Sequence, residues 1–269
     1  MKKARITAQM IVKNEENWIW YAIRSVLPEV EQFFIFDTAS TDRTGDLIEL
    51  IGSRKICFEK KGSADPQRLT ELRNEMLRRT KTDWFILIDG DEVWKRKTVK
   101  GLHRFITNLD EDVHGIVMRT RNCVGDVYHY LPEEAGRYAL LGRKGHLTIR
   151  VYRKLPDYAW KGIYPWESYT DKQGISLNDK PTHLRFYDGF YWHMTHLPRS
   201  SSRDKTHGFR KQKYEKGLEI ESARDLPGVL RQKHPLSLFE PLRKRGRQYE
   251  FVAKIITPFK RLKRRLADE

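Results

Sequence analysis

Asp89-Gly90-Asp91-Glu92 sets three carboxylates directly behind the apolar run Trp84-Phe85-Ile86-Leu87-Ile88. Such a run has the pattern of a strand buried on both faces, so the acids are expected at its carboxyl end. In open parallel sheets ligands bind beyond those ends. Asp37 follows Phe33-Phe34-Ile35-Phe36 in the same way. Clustered carboxylates at such a mouth suit a hard divalent cation, Mg2+ or Mn2+, which takes oxygen ligands and keeps positions open for phosphates. Gly90 allows close backbone approach there. The alternative for this segment is a solvated acidic turn.

The elements that must position these acids alternate along the first 90 residues. A strand over 6–12 is followed by a helix over 15–27, with Asn14 as its cap, Trp18, Ala22 and Val26 at four-residue spacing beside Ile19 and Ile23, and Pro28 closing it. After the strand at 33–36, Thr38-Ala39-Ser40-Thr41-Asp42 reads as a turn, with Ser40 or Thr41 capping a helix that carries Leu47, Ile48 and Ile51 and stops at Gly52. A strand at 56–58, a helix opened by Asp65-Pro66 and bearing Leu69, Leu72 and Met76, and the strand at 84–88 complete the string. This β-α alternation predicts a parallel sheet covered by helices on both faces. Beyond it, Leu102, Phe105, Ile106 and Leu109 mark another helix, and residues 116–120 and 147–151 two more strands. Residues 122–146 and 154–192 are less regular, and loops of that length are more often binding surfaces or lids than filler.

A chain of 269 residues accommodates one α/β unit with a smaller elaboration. With 39% apolar and 33% charged residues a soluble protein with a heavily charged surface is expected, and 31 aromatic residues exclude disorder throughout. Cys57 and Cys123 are too few and too far apart for a disulfide framework or a cysteine zinc site, which fits a reducing cytoplasm. The start, Met-Lys-Lys-Ala-Arg before the strand at 6–12, resembles a signal peptide only faintly, because Gln9 and Lys13 interrupt the apolar stretch. No run approaches the roughly 20 apolar residues that span a bilayer, so membrane association is expected to be peripheral.

The net charge of +16 is concentrated in residues 199–269, which hold 20 Lys and Arg against 9 Asp and Glu. A basic extension attracts an anionic membrane, a phosphorylated glycolipid or nucleic acid, the alternative being a solvated face. Within 243–265, Phe251, Ile255, Ile256, Phe259 and Leu262 interleave with Lys254, Lys260, Arg261, Lys263 and Arg264 at three- and four-residue steps. That is the pattern of an amphipathic basic helix on an anionic membrane, kinked or divided at Pro258, or of a helix docked on the protein or a partner.

Four ordered blocks carry a more specific signal: Val12-Lys13-Asn14-Glu15-Glu16, the turn from Asp37 through Thr44, Arg73-Asn74, and Asp83-Trp84 leading to Asp89-Gly90-Asp91-Glu92. Over about residues 6–196 the chain resembles a GT-A glycosyltransferase of family 2. The resemblance implies a Rossmann-like α/β fold with a mostly parallel sheet flanked by helices, covering 1–198, with 199–269 as a basic, mainly helical extension. It implies a nucleotide pocket with Lys13, Glu15, Asp37 and Arg73, and a metal, Mn2+ or Mg2+, held by Asp91 and more distantly by Asp89. Thr38 stands where many members carry a second acid.

Arg150-Val151-Tyr152-Arg153, then Gly162, then Trp166-Glu167 resembles the branch of that family acting on lipopolysaccharide core and related acceptors, with Trp166 in place of a histidine. By this resemblance Glu167 is the general base for an inverting transfer, an exposed structural acid being the alternative. GT-A enzymes often add a C-terminal histidine to the metal, which singles out His193 ahead of His196 within Tyr191-Trp192-His193-Met194-Thr195-His196. A packed, hydrogen-bonded histidine is the competing reading. The segment from Arg199 to Lys205 is a candidate loop over the donor phosphates, or a linker.

The expected function is therefore sugar transfer from a nucleotide-diphospho-sugar to a glycolipid or saccharide, at the cytoplasmic face of the membrane. A nucleotidyltransferase is the rival enzyme, although residues 12–16 hold no glycine for its usual loop. A basic nucleic-acid-binding protein is disfavoured, because no binding motif accompanies the charge.

Overall fold

Strand β1 (Ile6–Val12) is buried along its length, and its two faces account for its sequence. Ile6, Ala8, Met10 and Val12 enter one apolar core. On the other face Thr7 and Gln9 reach the hydroxyls of Thr82 and Thr80 at 2.8 Å each, so burial leaves these bonds made. The computed structural model describes residues 4–201, 213–235 and 239–268. After β1 come α1 (Ile19–Val26), β2 (Gln32–Asp37), α2 (Thr44–Ile51), β3 (Ile56–Lys60), α3 (Pro66–Arg79) and β4 (Trp84–Leu87). Strands β3, β2, β1 and β4 lie side by side in that order, all parallel.

The second half widens the sheet with β5 (Glu92–Trp94), α4 (Arg96–Thr107), β6 (Gly115–Val124), β7 (Asp126–Tyr130), the hairpin of β8 (Tyr138–Leu140) and β9 (Arg143–Gly145), and β10 (Leu147–Arg153). Next are β11 (Ala159–Lys161) paired with β12 (Ser168–Thr170), then β13 (Leu184–His196), β14 (Leu218–Glu219) and α5 (Arg247–Asp268). Strand β10 runs antiparallel between β4 and β6, while β13 runs parallel to β6 and antiparallel to β5. Ile19 and Ile23 of α1, Leu47 and Ile48 of α2, and Val99 and Leu102 of α4 fill the core on one face. Leu72 and Met76 of α3 meet Phe34 and Phe36 on the other. This is the expected α/β sheet flanked by helices. Among the described residues no helix is long and apolar enough to cross a membrane.

Asp65 caps α3 as expected, accepting from Arg68 N at 2.7 Å, and Gly52 ends α2 at φ 59°. Five local expectations are corrected. Asn14 does not cap α1: it sits at φ 54°, and its Oδ1 accepts from Thr41 N at 2.8 Å, tying two loops together. Residues 15–18 form a turn first, so α1 starts at Ile19. Neither Ser40 nor Thr41 caps α2; Asp42 Oδ1 accepts from Thr44 N at 2.9 Å instead. Helix α5 runs through Pro258 undivided. Residues 184–192, expected to be irregular, belong to β13, whose pairing slips between Phe186 and Phe190, around Asp188-Gly189.

Candidate functional site

The loop after β1 and the loop after β2 interlock at the carboxyl end of the sheet. Asn14 N donates to Ser40 Oγ at 2.9 Å, Glu15 N to Thr44 Oγ1 at 2.8 Å, and Thr38 N to Val12 O at 2.9 Å. Asp37 is buried, and its Oδ1 accepts from both Ser40 N (3.0 Å) and Ser40 Oγ (2.7 Å), so one carboxylate oxygen holds the turn. Lys13 is half-buried in the first of these loops. Glu15 packs against Gly90: a Cβ there would stand 2.8 Å from Glu15 Cγ and 3.0 Å from Val12 Cγ2. Gly90 is thus needed for the close passage of a side chain.

The acids after β4 are arranged by β5 and β13. Glu92 N returns to Asp89 O at 3.1 Å, Met194 N donates to Asp91 O at 2.8 Å, and Glu92 is the register partner of His193. This brings His193 Nε2 within 3.2 Å of Asp91 Oδ1. Asp89, Glu92 and His193 each offer an atom within 4.8 Å of one another. Arg150 from β10 donates to Asp89 Oδ2 at 2.7 Å, contacts Glu92, and reaches the Tyr191 hydroxyl at 3.0 Å. Desolvation, the largest single influence, works against ionisation of Asp89 and Asp91 repels it, but Arg150 together with His193 and Arg73 holds the carboxyl below its ordinary range. Glu92 has no exposed side chain, and burial drives its carboxyl well above the usual range despite Arg150.

A second arginine approaches from the chain beyond β13. Pro198 O accepts from Trp18 Nε1 (2.8 Å), Arg199 O accepts from Asn17 N (3.0 Å), and Ser201 N donates to Glu16 Oε1 (2.7 Å). So anchored, Arg199 Nη1 lies 2.6 Å from Glu15 Oε1 and 3.7 Å from Asp91 Oδ2. Residues 202–205 of the expected phosphate loop lie outside the described residues.

Glu167 stands in a neighbouring wall. Arg73 Nε donates to its Oε1 at 2.8 Å, and the Arg73 guanidinium lies over the Trp160 ring. Glu167 Oε2 is buried with no hydrogen-bond partner among the described residues. Asn74, next to Arg73, bonds both N and O of Trp160, at 2.9 and 2.8 Å, locking α3 to β11. Between Gly162 and Glu167 a turn closed by Trp166 N to Ile163 O (2.8 Å) leaves Trp166 86% and Ile163 55% exposed.

Residues 7–167 match the sequence profile of Glycosyl transferase family 2, well over half the chain. The chain belongs to glycosyltransferase family 2. It resembles the structure of S. aureus TarS 1-349 in complex with UDP-GlcNAc, at 14% identity and a TM-score of 0.49, over 70% of this chain and 58% of that one. It also resembles glucosyl-3-phosphoglycerate synthase from Mycobacterium tuberculosis in complex with Mn2+, UDP and phosphoglyceric acid, at 20% identity and a TM-score of 0.34, over 44% of this chain and 43% of that one. The matched part is less than two thirds of either neighbour. No curated protein matches the sequence.

In this family 2 member the set of side chains after β4 suits a divalent cation. The carboxylates of Asp89 and Glu92 converge with the His193 imidazole, Asp91 Oδ1 lies 3.2 Å from His193 Nε2, and that nitrogen is buried without a hydrogen bond among the described residues. Asp91 and Asp89, expected at the metal, do lie beside His193; His196 is three residues on, register partner of Val124. Of the expected donor residues, Glu15 and Asp37 flank this mouth, whereas Arg73 is engaged with Glu167. Sequence reasoning missed two participants. Arg150 was visible only as part of a motif, and Arg199 only as the first residue of a basic loop; nothing in their local patterns marks them as partners of buried acids.

Proposed function

We propose that this family 2 enzyme transfers a sugar from a nucleotide-diphospho-sugar to a hydroxyl of a glycolipid or growing saccharide, with inversion at the anomeric carbon. The observation supporting this best is the convergence of Asp91, Asp89, His193 and Arg199 at the mouth formed by the loops after β1, β2 and β4. Asp91, Asp89 and His193 would hold Mn2+ or Mg2+. When bound, such an ion would supply positive charge that stabilises the diphosphate leaving group. Lys13, Glu15 and Asp37 line the nucleotide side, and Arg199 exchanges its carboxylate partners for phosphate oxygens as the donor enters.

Glu167 faces the acceptor. Its carboxylate takes the hydroxyl proton as the acceptor oxygen bonds the anomeric carbon, and the electron pair of the broken sugar–phosphate bond leaves with the nucleoside diphosphate. Arg73 orients Glu167 through Oε1 and leaves Oε2 for the proton. Trp166 and Ile163 offer the acceptor ring an apolar ledge beside this base. Acceptors of the lipopolysaccharide-core kind fit the motif from Arg150 to Glu167. We assign catalysis to residues 1–198 and attachment at a cytoplasmic membrane face to 199–269, with Arg199 at the junction.

The test is a panel of nucleotide sugars offered to purified protein with Mn2+ or Mg2+, reading donor hydrolysis and thermal stabilisation. One or a few donors should raise the melting temperature in a metal-dependent way. A flat response across the panel with both metals would overturn the reading.

A further inference from the structure

Helix α5 carries five large apolar side chains that no described residue covers: Phe251, Ile255, Phe259, Leu262 and Leu266 are 51% to 70% exposed. At about 100° per residue they fall within an arc of about 80°, a single stripe about 23 Å long. The opposite side of the helix is docked on the protein. Tyr249, Ala253 and Thr257 are buried, Lys216 N donates to Thr257 Oγ1 at 2.8 Å, and Arg264 makes two 2.7 Å bonds to Glu215. Docking therefore uses one face and leaves the apolar one outward.

The stripe is edged by positive charge. By the same helical geometry the exposed Lys254, Arg261 and Arg265 lie along one side of it and Lys263 along the other. Glu250, the acid nearest that edge, is paired with Arg245 at 2.7 Å. An outward apolar stripe with basic margins is the pattern of a helix lying in a bilayer surface.

We propose that α5 seats the enzyme on an anionic membrane, the stripe entering the acyl boundary and the flanking Lys and Arg meeting lipid phosphates. This rests on the membrane-face part of the reading above and specifies the residues that make the contact. A second copy of the chain is a poor occupant, because it would bring like charges together in a protein of net charge +16. The seat also orients the site. Tyr249 of α5 packs on Gly125, where an added Cβ would stand 2.7 Å from the ring, just past the end of β6, and Asn122 of β6 is the register partner of His193. The helix thus flanks the same end of the sheet as the catalytic mouth, which suits an amphiphilic acceptor whose sugar stands just above the lipid.

Cosedimentation of the full chain with phosphatidylglycerol or phosphatidylcholine vesicles, at low and high salt, tests this. Binding to the anionic vesicles at low salt should weaken about tenfold or more in high salt or on neutral vesicles. The same loss is expected for Phe251→Ser/Phe259→Ser and, separately, for Lys254→Glu/Arg261→Glu, with circular dichroism unchanged. Wild-type protein left in the supernatant with anionic vesicles, or either double variant sedimenting like wild type, overturns the proposal. So does light scattering that shows a dimer broken by Phe251→Ser/Phe259→Ser with no vesicle binding. Calorimetry with uridine diphosphate and Mn2+ on the same samples tests the donor reading independently, because these side chains lie on the exposed face of α5, away from its docked side.

Discussion

At Asp91 a buried carboxylate lies between a histidine and an arginine, so its charge matters to binding more than to folding. Asp91→Asn keeps shape and removes charge; calorimetry with a nucleoside diphosphate should show metal-dependent affinity lost while the unfolding transition persists. Unchanged affinity would remove Asp91 from the metal. Glu167→Gln preserves an oxygen for Arg73 but cannot take a proton, so transfer should fall by about 10² to 10⁴ with donor affinity kept. Transfer at the wild-type rate would make Glu167 a structural partner of Arg73. Gly90→Ala drives a methyl into Glu15 and Val12, and urea unfolding should show a loss of about 1–3 kcal/mol. An unchanged midpoint would mean that Glu15 shifts freely.

Among the elements, β3 and α3 are joined at the edge of the parallel half by a charged network. Glu59 bonds Arg79 and Lys61, and Lys61 also reaches Glu75 at 2.8 Å. Arg79 first, then Lys61, hold the Glu59 carboxyl down to about 2, below its ordinary 4.5. A depressed carboxylate contributes stability that is fully present above 4.5 and is lost as pH falls toward about 2. Glu59 is a third exposed, so the contribution is about 1 kcal/mol or less. Unfolding free energy measured from pH 5 to 2 should therefore drop less steeply in Glu59→Gln than in wild type; parallel curves would show that the network adds nothing.

For the whole molecule, the chain beyond β13 is structurally continuous with the α/β body. Leu226, Val229 and Leu230 share an apolar cluster with Trp18, Trp20, Val93 and Trp192. Leu230→Ala should consequently cost about 2–5 kcal/mol in a denaturant titration, as a core residue does. A cost near zero would show that this segment rests loosely on the body.

The sequence alone determined the parallel half and its acids. Mostly apolar runs of three to seven residues alternating with helical spacing dictate β1 to β4, and strand polarity then dictates that Asp37 and Asp89 emerge at one end. Both signals are local in the chain, since burial on two faces requires continuous apolar residues and helix burial requires the three- and four-residue step. Tertiary structure decided what completes the site. His193 reaches Asp91 only because β13 pairs with β5 across 100 residues, and Arg150 reaches Asp89 only because β10 enters antiparallel beside β4. Asn14, a helix cap by local pattern, was claimed by Thr41 because the two loops meet. The charge and hydrophobicity of α5 were legible, but which face docks was not, because a helix with apolar residues at 251, 255 and 259 has no local reason to bury Ala253 and Thr257 instead. That choice was made by Glu215 and Lys216, whose carboxylate and backbone amide find Arg264 and Thr257 on the opposite side.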